Sequence, residues 1–338
     1  MRLFQRVADF ELPAHDGGKV RLRDYLRQYL VLYLYPKAGS PGCTREAQDF
    51  SARIKEFDEL DAVVLGVSPD KPEAQARFVE AKGLAIRLLS DPELRLARQL
   101  GAVNDLGKLV RSTFLFDRAG VLRWRWPKVA KVEGHVEEVL QVLKELYEAD
   151  QELNPFIAAR RAWRAISSEP LPKEALTRLI EAAHLAPSCF NNQPWRFIVV
   201  ARHATGEGLE KVKAALPGGN YWAKPAPAII AVASHRDLDC KLSDGRDYFL
   251  FGCGMAVGNL MVQATQMGLV AHPIAGYDPL KVKEALGIPQ DYILITLVVL
   301  GKPGDVGTLS EKHREIELGP RERKPLEEVL AWGRFAFG

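Results

Sequence analysis

The chain has 338 residues, of which 26% are charged and 47% hydrophobic, with a formal net charge of +3 at pH 7. The length suits two domains at ~150 residues each, and the composition suits a folded globular protein. The near-balanced charge offers no broad basic field for nucleic acid.

The opening residues, MRLFQRVADFELPAHDGG, carry no apolar signal core and no cleavage site, so no secretory leader is expected. In chain order, YLVLYLYP (29–36) reads as a buried strand ended by Pro36, and Cys43 to about Leu60 as a helix. AVVLGVSP (62–69) predicts a second strand and DKPEAQARFVEAKG a second helix. STFLFDRAGVLRWRW (112–126) predicts a hairpin turning at Asp117 to Gly120, with Trp124 and Trp126 as packing residues. From His135, HVEEVLQVLKELYEAD has helical apolar spacing, with His135 as a cap or surface histidine. Strands alternating with helices point to an α/β domain.

The polar run LYEADQELNP (146–155) marks a boundary, which divides the chain into 1–147 and 148–338. A continuous helix across this run is compatible with its pattern. Beyond it, FIAARRAWRAI and PKEALTRLIEAAHLAP read as helices. FIVVA (197–201), APAIIAVAS (226–234) and YILITLVVLG (292–301) read as strands. The most apolar long segment, 249–271, contains Asn259, Gln263, Thr265 and Gln266. It reads as a buried core helix rather than a membrane span. Helices grouped around a sheet make this half α+β.

The four cysteines, Cys43, Cys189, Cys240 and Cys253, show neither CxxC nor metal-ligand spacing, so no metal site is expected. Reduced thiols in a cytoplasmic chain are the simplest reading. His184, His272 and His313 form no HExxH or triad pattern.

Cys43 follows Pro41-Gly42 at the start of a predicted helix. A free thiol is only about 3% ionised at pH 7. A helix N-terminus and a nearby arginine both favour the reactive thiolate. A buried structural cysteine fits Pro-Gly-Cys equally well.

The surroundings decide between them. The segment PKAGSPGCTRE (36–46) resembles the active-site loop of peroxiredoxins, and more narrowly of the bacterioferritin-comigratory, or Q-type, subfamily. VADFELPAHDGGKVRLRDY, LGVSPDKPEAQARFVEAKGL, LLSDPE and RSTFLFDRAGVL extend the resemblance over residues 1 to about 147. It implies a thioredoxin-like domain in which Cys43 attacks a peroxide and becomes a sulfenic acid. Ser40 would hydrogen-bond the peroxide, and Arg111 would stabilise the thiolate and the leaving oxygen. Pro36 would shield the sulfenate, and Glu46 would orient the arginine. Many Q-type members carry a resolving cysteine five residues after the first. That position is Gln48 here, so this half reads as a one-cysteine enzyme.

In the second half, Arg160, Arg161 and Arg164 are spaced so that a helix would put Arg160 and Arg164 on one face. Arginine forks suit phosphate, although such a cluster taken bare is more often a solvated face. APSCFNNQPWRF (186–197) forms a polar loop beside a Pro-Trp wall, which suits a planar heterocycle. Together with HPIAGYDP and RERKPLEEVL, these segments resemble the FMN-binding nitroreductase family over about 153 to 332. The resemblance implies that Arg160, Arg161 and Arg164, with Arg323 and Arg321, hold the ribityl phosphate. Ser188, Asn191 and Gln193 would contact the flavin or its ribityl chain, and Pro273, Ile274, Ala275 and Gly276 would line the ring near N5. It also implies a homodimer with the flavin between subunits, and NAD(P)H as a transient donor. The chain departs from the family at Ala162, Ala275 and Phe190, the last narrowing the substrate space. Gly252-Cys253-Gly254 with Gly258 is a GxGxxxG spacing that suits close helix packing rather than a dinucleotide site.

The expected protein is thus a bifunctional redox enzyme that reduces peroxides at Cys43 and binds FMN and NAD(P)H in its second half, with internal supply of electrons from NAD(P)H through FMN to oxidised Cys43 as an extension. Cys189, inside the predicted flavin loop, is a candidate relay thiol between the halves; a small cysteine packed beside the cofactor is its alternative. Two uncoupled activities form a second reading. Cys43 would then be served by an external thioredoxin or glutaredoxin, and the flavin half would act on nitroaromatics or quinones. A redox sensor with a structural flavin is the third.

Overall fold

The computed structural model describes residues 2–337, with His203 and Gly206 described by backbone alone, and divides the chain into the units Met1–Glu152 and Leu153–Gly338. The first unit contains, in order, β1 (Glu11–Pro13), β2 (Lys19–Arg21), β3 (Tyr29–Leu34), α1 (Pro41–Ala52) and α2 (Ile54–Glu59). There follow β4 (Ala62–Ser68), α3 (Pro72–Lys82), β5 (Arg87–Ser90), α4 (Arg95–Leu100), β6 (Ser112–Phe116), β7 (Leu122–Trp126) and α5 (His135–Ala149). The main sheet runs β5-β4-β3-β6-β7, with β3, β4 and β5 parallel and β6 and β7 antiparallel. β1 and β2 pair separately. This is the α/β thioredoxin-like arrangement expected from the alternation of strands and helices.

The central strand explains the layering. All six residues of β3 are buried, as a strand covered on both faces requires. Side-chain alternation sends Tyr29, Val31 and Tyr33 into one core with Phe50, Phe57, Val139 and Leu143 of α1, α2 and α5. Leu30, Leu32 and Leu34 enter the opposite core with Leu96 and Leu100 of α4. The expected single helix from Cys43 to about Leu60 is broken at Arg53 (φ −107°, ψ 12°). No Gly or Pro marks the break. Arg53 instead pairs with Glu137 of α5 at 2.6 Å, a tertiary contact that local pattern does not display.

At Gly66 on β4, an added Cβ would lie 2.6 Å from both the Tyr33 hydroxyl and Leu88 Cδ2. Gly66→Ala should therefore destabilise the unit by ~1–3 kcal/mol through overpacking. Urea unfolding followed by tyrosine fluorescence measures this, and an unchanged midpoint would show that Tyr33 can move aside.

The second unit contains α6 (Pro155–Ala159), α7 (Lys173–His184), β8 (Arg196–Ala201), α8 (Arg202–Ala214), β9 (Ala228–Ser234), α9 (Phe249–Gln266), β10 (Val270–Ile274), α10 (Pro279–Leu286), β11 (Ile293–Gly301) and α11 (Glu311–Leu318). Its sheet order is β10-β11-β9-β8, antiparallel throughout. Ile229, Ala231 and Ala233 of β9 face one core and Ala228, Ile230 and Val232 the other. Helices on both sides of an antiparallel sheet give the expected α+β class.

Three expectations need correction. The boundary run is not a continuous helix, since α5 ends at Ala149 and α6 begins at Pro155 behind an Asn154 cap. Arg160 and Arg164 do not share a helical face. The helix ends at Ala159, and the backbone N–H groups of Arg164 and Ala165 donate to the buried Glu317 carboxylate at 2.8 Å instead of to a helical ladder. α9 is buried on one face only, through Phe249, Cys253, Ala256, Leu260 and Ala264. Its Leu250, Phe251, Gly254 and Gly258 are exposed in the protomer. Among the described residues no helix is long and apolar enough to cross a membrane.

Candidate functional site

In the first unit, Gly39 (φ +75°) turns the chain after β3, and Ser40 takes the N-cap position of α1 with extended backbone. Pro41 fits the first helical turn because its missing N–H would be unpaired there anyway. This places Cys43 in that first turn, among unpaired N–H groups that favour negative charge. The Asp70 carboxylate accepts from the Ala38 N–H at 2.7 Å and pins the loop. Asp70 was not legible as a site residue, because its role depends on β4 ending beside β3.

Cys43 is fully buried and free. Arg111 Nη2 lies 3.2 Å from its Sγ, and Arg111 Nη1 donates to Glu46 Oε2. Gly42 permits this approach, because a Cβ there would sit 3.2 Å from Arg111 Nη2. The expected trio of Cys43, Glu46 and Arg111 thus converges across 68 residues of sequence. Ser40 is half-buried on the same turn, whereas Pro36 is exposed. Gln48 is exposed on α1.

Next to the trio lie Tyr33 and Tyr35; the buried Tyr33 hydroxyl has no hydrogen-bond partner, and Glu46 Oε1 is likewise unpaired. Burial pushes the Tyr33 hydroxyl well above its usual range. His135 is a correction. It is a buried residue at the start of α5 rather than a surface one, with Nε2 2.8 Å from Thr113 Oγ1 and its ring edge-on to Phe50 and Trp126. Burial lowers its pKa, so it is a neutral packing element behind α1.

Burial raises the Glu46 carboxyl from 4.5 to about 7, outweighing the attraction of Arg111. The folded state then retains a proton that the unfolded chain has already lost. The stabilisation is complete below about pH 4.5 and disappears as pH rises through about 7. Melts between about pH 5 and about pH 8 should show wild type losing on the order of 2–3 kcal/mol relative to Glu46→Gln. Parallel curves would mean that the carboxyl is ionised throughout.

In the second unit, Arg160, Arg161, Arg164, Arg321 and Arg323 line one cleft of about 630 Å³, beside Gly319. Arg161 donates to the Gly319 and Ile316 carbonyls, and Arg321 to that of Ala158. Among the described residues none of the five forms an ion pair with a carboxylate. Burial lowers the Arg160 pKa, and the charges of Arg321 and Arg323 lower it further. Glu315 and Glu322 also line the cleft, but the five guanidinium groups outnumber them, so the cleft suits a multiply charged anion. It fits the phosphate of FMN. Glu317, which shapes the arginine segment, was missed because it lies more than 150 residues away and only the fold joins them.

The other expected flavin residues lie on separate segments. Gln193 N donates to Ser188 Oγ at 2.9 Å, and Gln193 Nε2 to Asn191 O at 3.0 Å. Phe190, Asn191 and Gln193 all have φ between 46° and 59°, and the Phe190 side chain is 92% exposed. Pro273 and Ile274 belong to the end of β10 rather than to a loop, and the Ile274 carbonyl accepts from Thr296 Oγ1. Ala275 and Gly276 are exposed, with Gly276 O bound by Asn220 Nδ2 at 2.7 Å. His272 Nδ1, next to Pro273, lies 2.9 Å from the Trp163 carbonyl in the arginine segment.

Cys189 overturns its expected role. It is not a free relay thiol but forms a disulfide with Cys240, with Cα atoms 6.1 Å apart and 51 residues of separation. The reading of thiols reduced at rest fails for this pair. Cys240 carries no spacing signal, because the pairing of β8 with β9 brings the segments that hold the two cysteines together. Cys253 is free, buried, and pushed up to about 11 by desolvation, which makes it inert.

Residues 4–125 match the family model of AhpC/TSA proteins and residues 157–302 that of the nitroreductase family. Peroxiredoxin Bcp of Bacillus subtilis (strain 168) is 45% identical over 151 residues, which are 43% of this chain and 96% of that protein. Peroxiredoxin Bcp of Escherichia coli (strain K12) is 36% identical over 40% of this chain and 91% of its own. A solved structure described as an oxidoreductase containing FMN is 31% identical, with a TM-score of 0.50, over 55% of this chain and 94% of its own. The chain therefore belongs to the peroxiredoxin family through its first unit and to the nitroreductase family through its second.

Proposed function

We propose that the chain carries two redox activities: reduction of hydrogen peroxide and organic hydroperoxides at Cys43, and FMN-dependent oxidation of NAD(P)H in the second unit. The observation that carries the first is Arg111 Nη2 at 3.2 Å from the buried Cys43 Sγ. The guanidinium sets a positive charge and a hydrogen-bond donor beside the attacking sulfur. The thiolate attacks one peroxide oxygen, the O–O bond breaks, and the departing oxygen takes up a proton to leave as water or alcohol. Arg111 stabilises charge on both the attacking sulfur and the leaving oxygen, and Glu46 holds the guanidinium in place. Ser40, on the same turn, would hydrogen-bond the peroxide.

The product at Cys43 is a sulfenic acid. Its reduction requires one thiol to form a mixed disulfide with loss of water and a second thiol to release Cys43. Cys43 and Cys253 are the free cysteines, and Cys253 is buried. This favours an external dithiol protein of the thioredoxin or glutaredoxin kind over a free relay thiol in the chain. Dependence on such a donor suits a reducing, cytoplasmic setting.

In the second unit, Arg160, Arg161, Arg164, Arg321 and Arg323 would hold the FMN phosphate. Ser188, Asn191, Gln193 and the 273–276 segment would face the flavin and ribityl chain. When bound, the flavin supplies two-electron transfer from NAD(P)H to an acceptor such as a quinone or nitroaromatic. The exposed outer face of α9 supports a homodimer. At Gly254 and Gly258 of that face an added Cβ would meet nothing within 4 Å, so close approach by a second helix is left open.

The test uses purified yellow protein. Peroxide consumption driven by a thioredoxin or glutaredoxin system should vanish in Cys43→Ser, while NAD(P)H oxidation with a quinone persists. Peroxide turnover that survives the substitution would sink the Cys43 assignment, and a colourless protein that does not take up FMN would sink the flavin assignment.

A further inference from the structure

We propose that Cys189 and Cys240 form a redox-active disulfide centre that exchanges an electron pair with the flavin of the second unit, with Asp239 as its positioning residue. The inference rests on the FMN reading above.

Three observations converge. Cys189 lies in the loop that carries Ser188, Asn191 and Gln193, the residues expected to face the flavin. Both bonded cysteines are half-buried rather than sealed in a core. Beside them sits Asp239, only 8% exposed, whose carboxylate and the two sulfurs all lie within 4.8 Å of one another.

The hydrogen-bond inventory at Asp239 separates a working centre from a staple. Oδ1 accepts from Asn192 Nδ2 at 3.3 Å, while Oδ2 is buried without a partner. A buried carboxylate oxygen without a donor is costly, and a disulfide has no proton to offer it. Opening the S–S bond creates two S–H donors next to that oxygen. The site is therefore short of a donor when oxidised and supplied with one when reduced. Asn192 Nδ2, 3.6 Å from Cys240 Sγ, is placed to donate to the same sulfur. A carboxylate at this range favours the protonated thiol, so Asp239 holds the reduced pair as S–H until an exchange partner arrives.

The loop is also tethered by the bond. Phe190 and Asn191 immediately follow Cys189 in left-handed backbone conformations that side-chain-bearing residues seldom adopt. Opening the disulfide frees this turn from Cys240, so the redox state of the pair is coupled to the loop expected to face the cofactor.

The step balances. The S–S bond breaks and each sulfur ends as S–H. The two electrons and two protons come from the flavin hydroquinone, which becomes oxidised flavin. NAD(P)H renews the hydroquinone.

The experiment is an anaerobic reductive titration of the FMN-loaded full chain with NADH, followed by denaturation in a thiol reagent. Full reduction should consume four electrons per protomer, and the thiol count should rise from two, Cys43 and Cys253, to four. The Cys189→Ser/Cys240→Ser double variant should take two electrons and show no rise. Flavin that bleaches while the wild-type count stays at two overturns the proposal and leaves the FMN reading standing. Protein that binds no flavin overturns both, and is seen separately as a colourless solution. Asp239→Asn should shift the pH midpoint for alkylation of the reduced pair to lower pH. An unmoved midpoint would restrict Asp239 to a structural role and overturn its assignment.

Discussion

Arg111→Met should lower the rate of peroxide reduction by ~10²–10³, the effect of removing one preorganised donor from developing negative charge, and Cys43→Ser should abolish it. The two losses have different signatures. Without Cys43 there is no sulfur to oxidise. Without Arg111 the sulfur remains, but neither its thiolate nor the departing oxygen has a counter-charge. Arg111→Met also leaves Glu46 buried without its cation, which favours its protonated form further and leaves a buried polar group without a partner. The double variant Arg111→Met/Glu46→Gln removes that liability, so a slow but well-folded double variant assigns the rate loss to electrostatics. Arg111→Lys should fall in between, because a point charge cannot reach Cys43 and Glu46 together as the fork does. Stopped-flow oxidation of the thiol by hydrogen peroxide measures the rate directly. An Arg111→Met variant as fast as wild type would remove the arginine from the mechanism.

Arg160→Ala/Arg323→Ala should weaken FMN binding by ~10²–10⁴. A hydrogen bond to a charged group contributes ~1.5–3 kcal/mol, and two are removed. The apo protein should respond in the opposite direction. Burial and the neighbouring Arg321 and Arg323 charges lower the Arg160 pKa, so the charged form is penalised in the empty cleft. The variant should thus melt at a slightly higher temperature without FMN and gain less on adding it. Quenching of FMN fluorescence gives the affinity, and paired melts give the crossing. Unchanged affinity would mean that the phosphate lies elsewhere. Failure of the crossing alone would show that solvent already screens the cluster.

The sequence by itself determined the two-unit plan and most of the elements. A run such as YLVLYL can be buried on both faces only as a central strand, and the 117–120 turn signals a hairpin whichever fold surrounds it. It also singled out Cys43, Arg111 and the arginines at 160, 161, 164, 321 and 323 as candidates, through the resemblance of their segments to family motifs. These are local properties, carried by residue type and short spacing.

Only the tertiary structure decided what depends on partners distant in the chain. Glu317 draws the backbone of Arg164 and Ala165 out of a helix that their spacing favours. Glu137 accompanies the break at Arg53. The packing of α5 against β6 buries His135, which looked like a surface cap. Cys189 changed from a free thiol to half of a disulfide because the pairing of β8 with β9 brings Cys240 to it across 51 residues. The common physical reason is that a hydrogen bond, ion pair or disulfide forms wherever its partner arrives. Local periodicity describes which face of an element turns inward, and the fold alone determines what waits there.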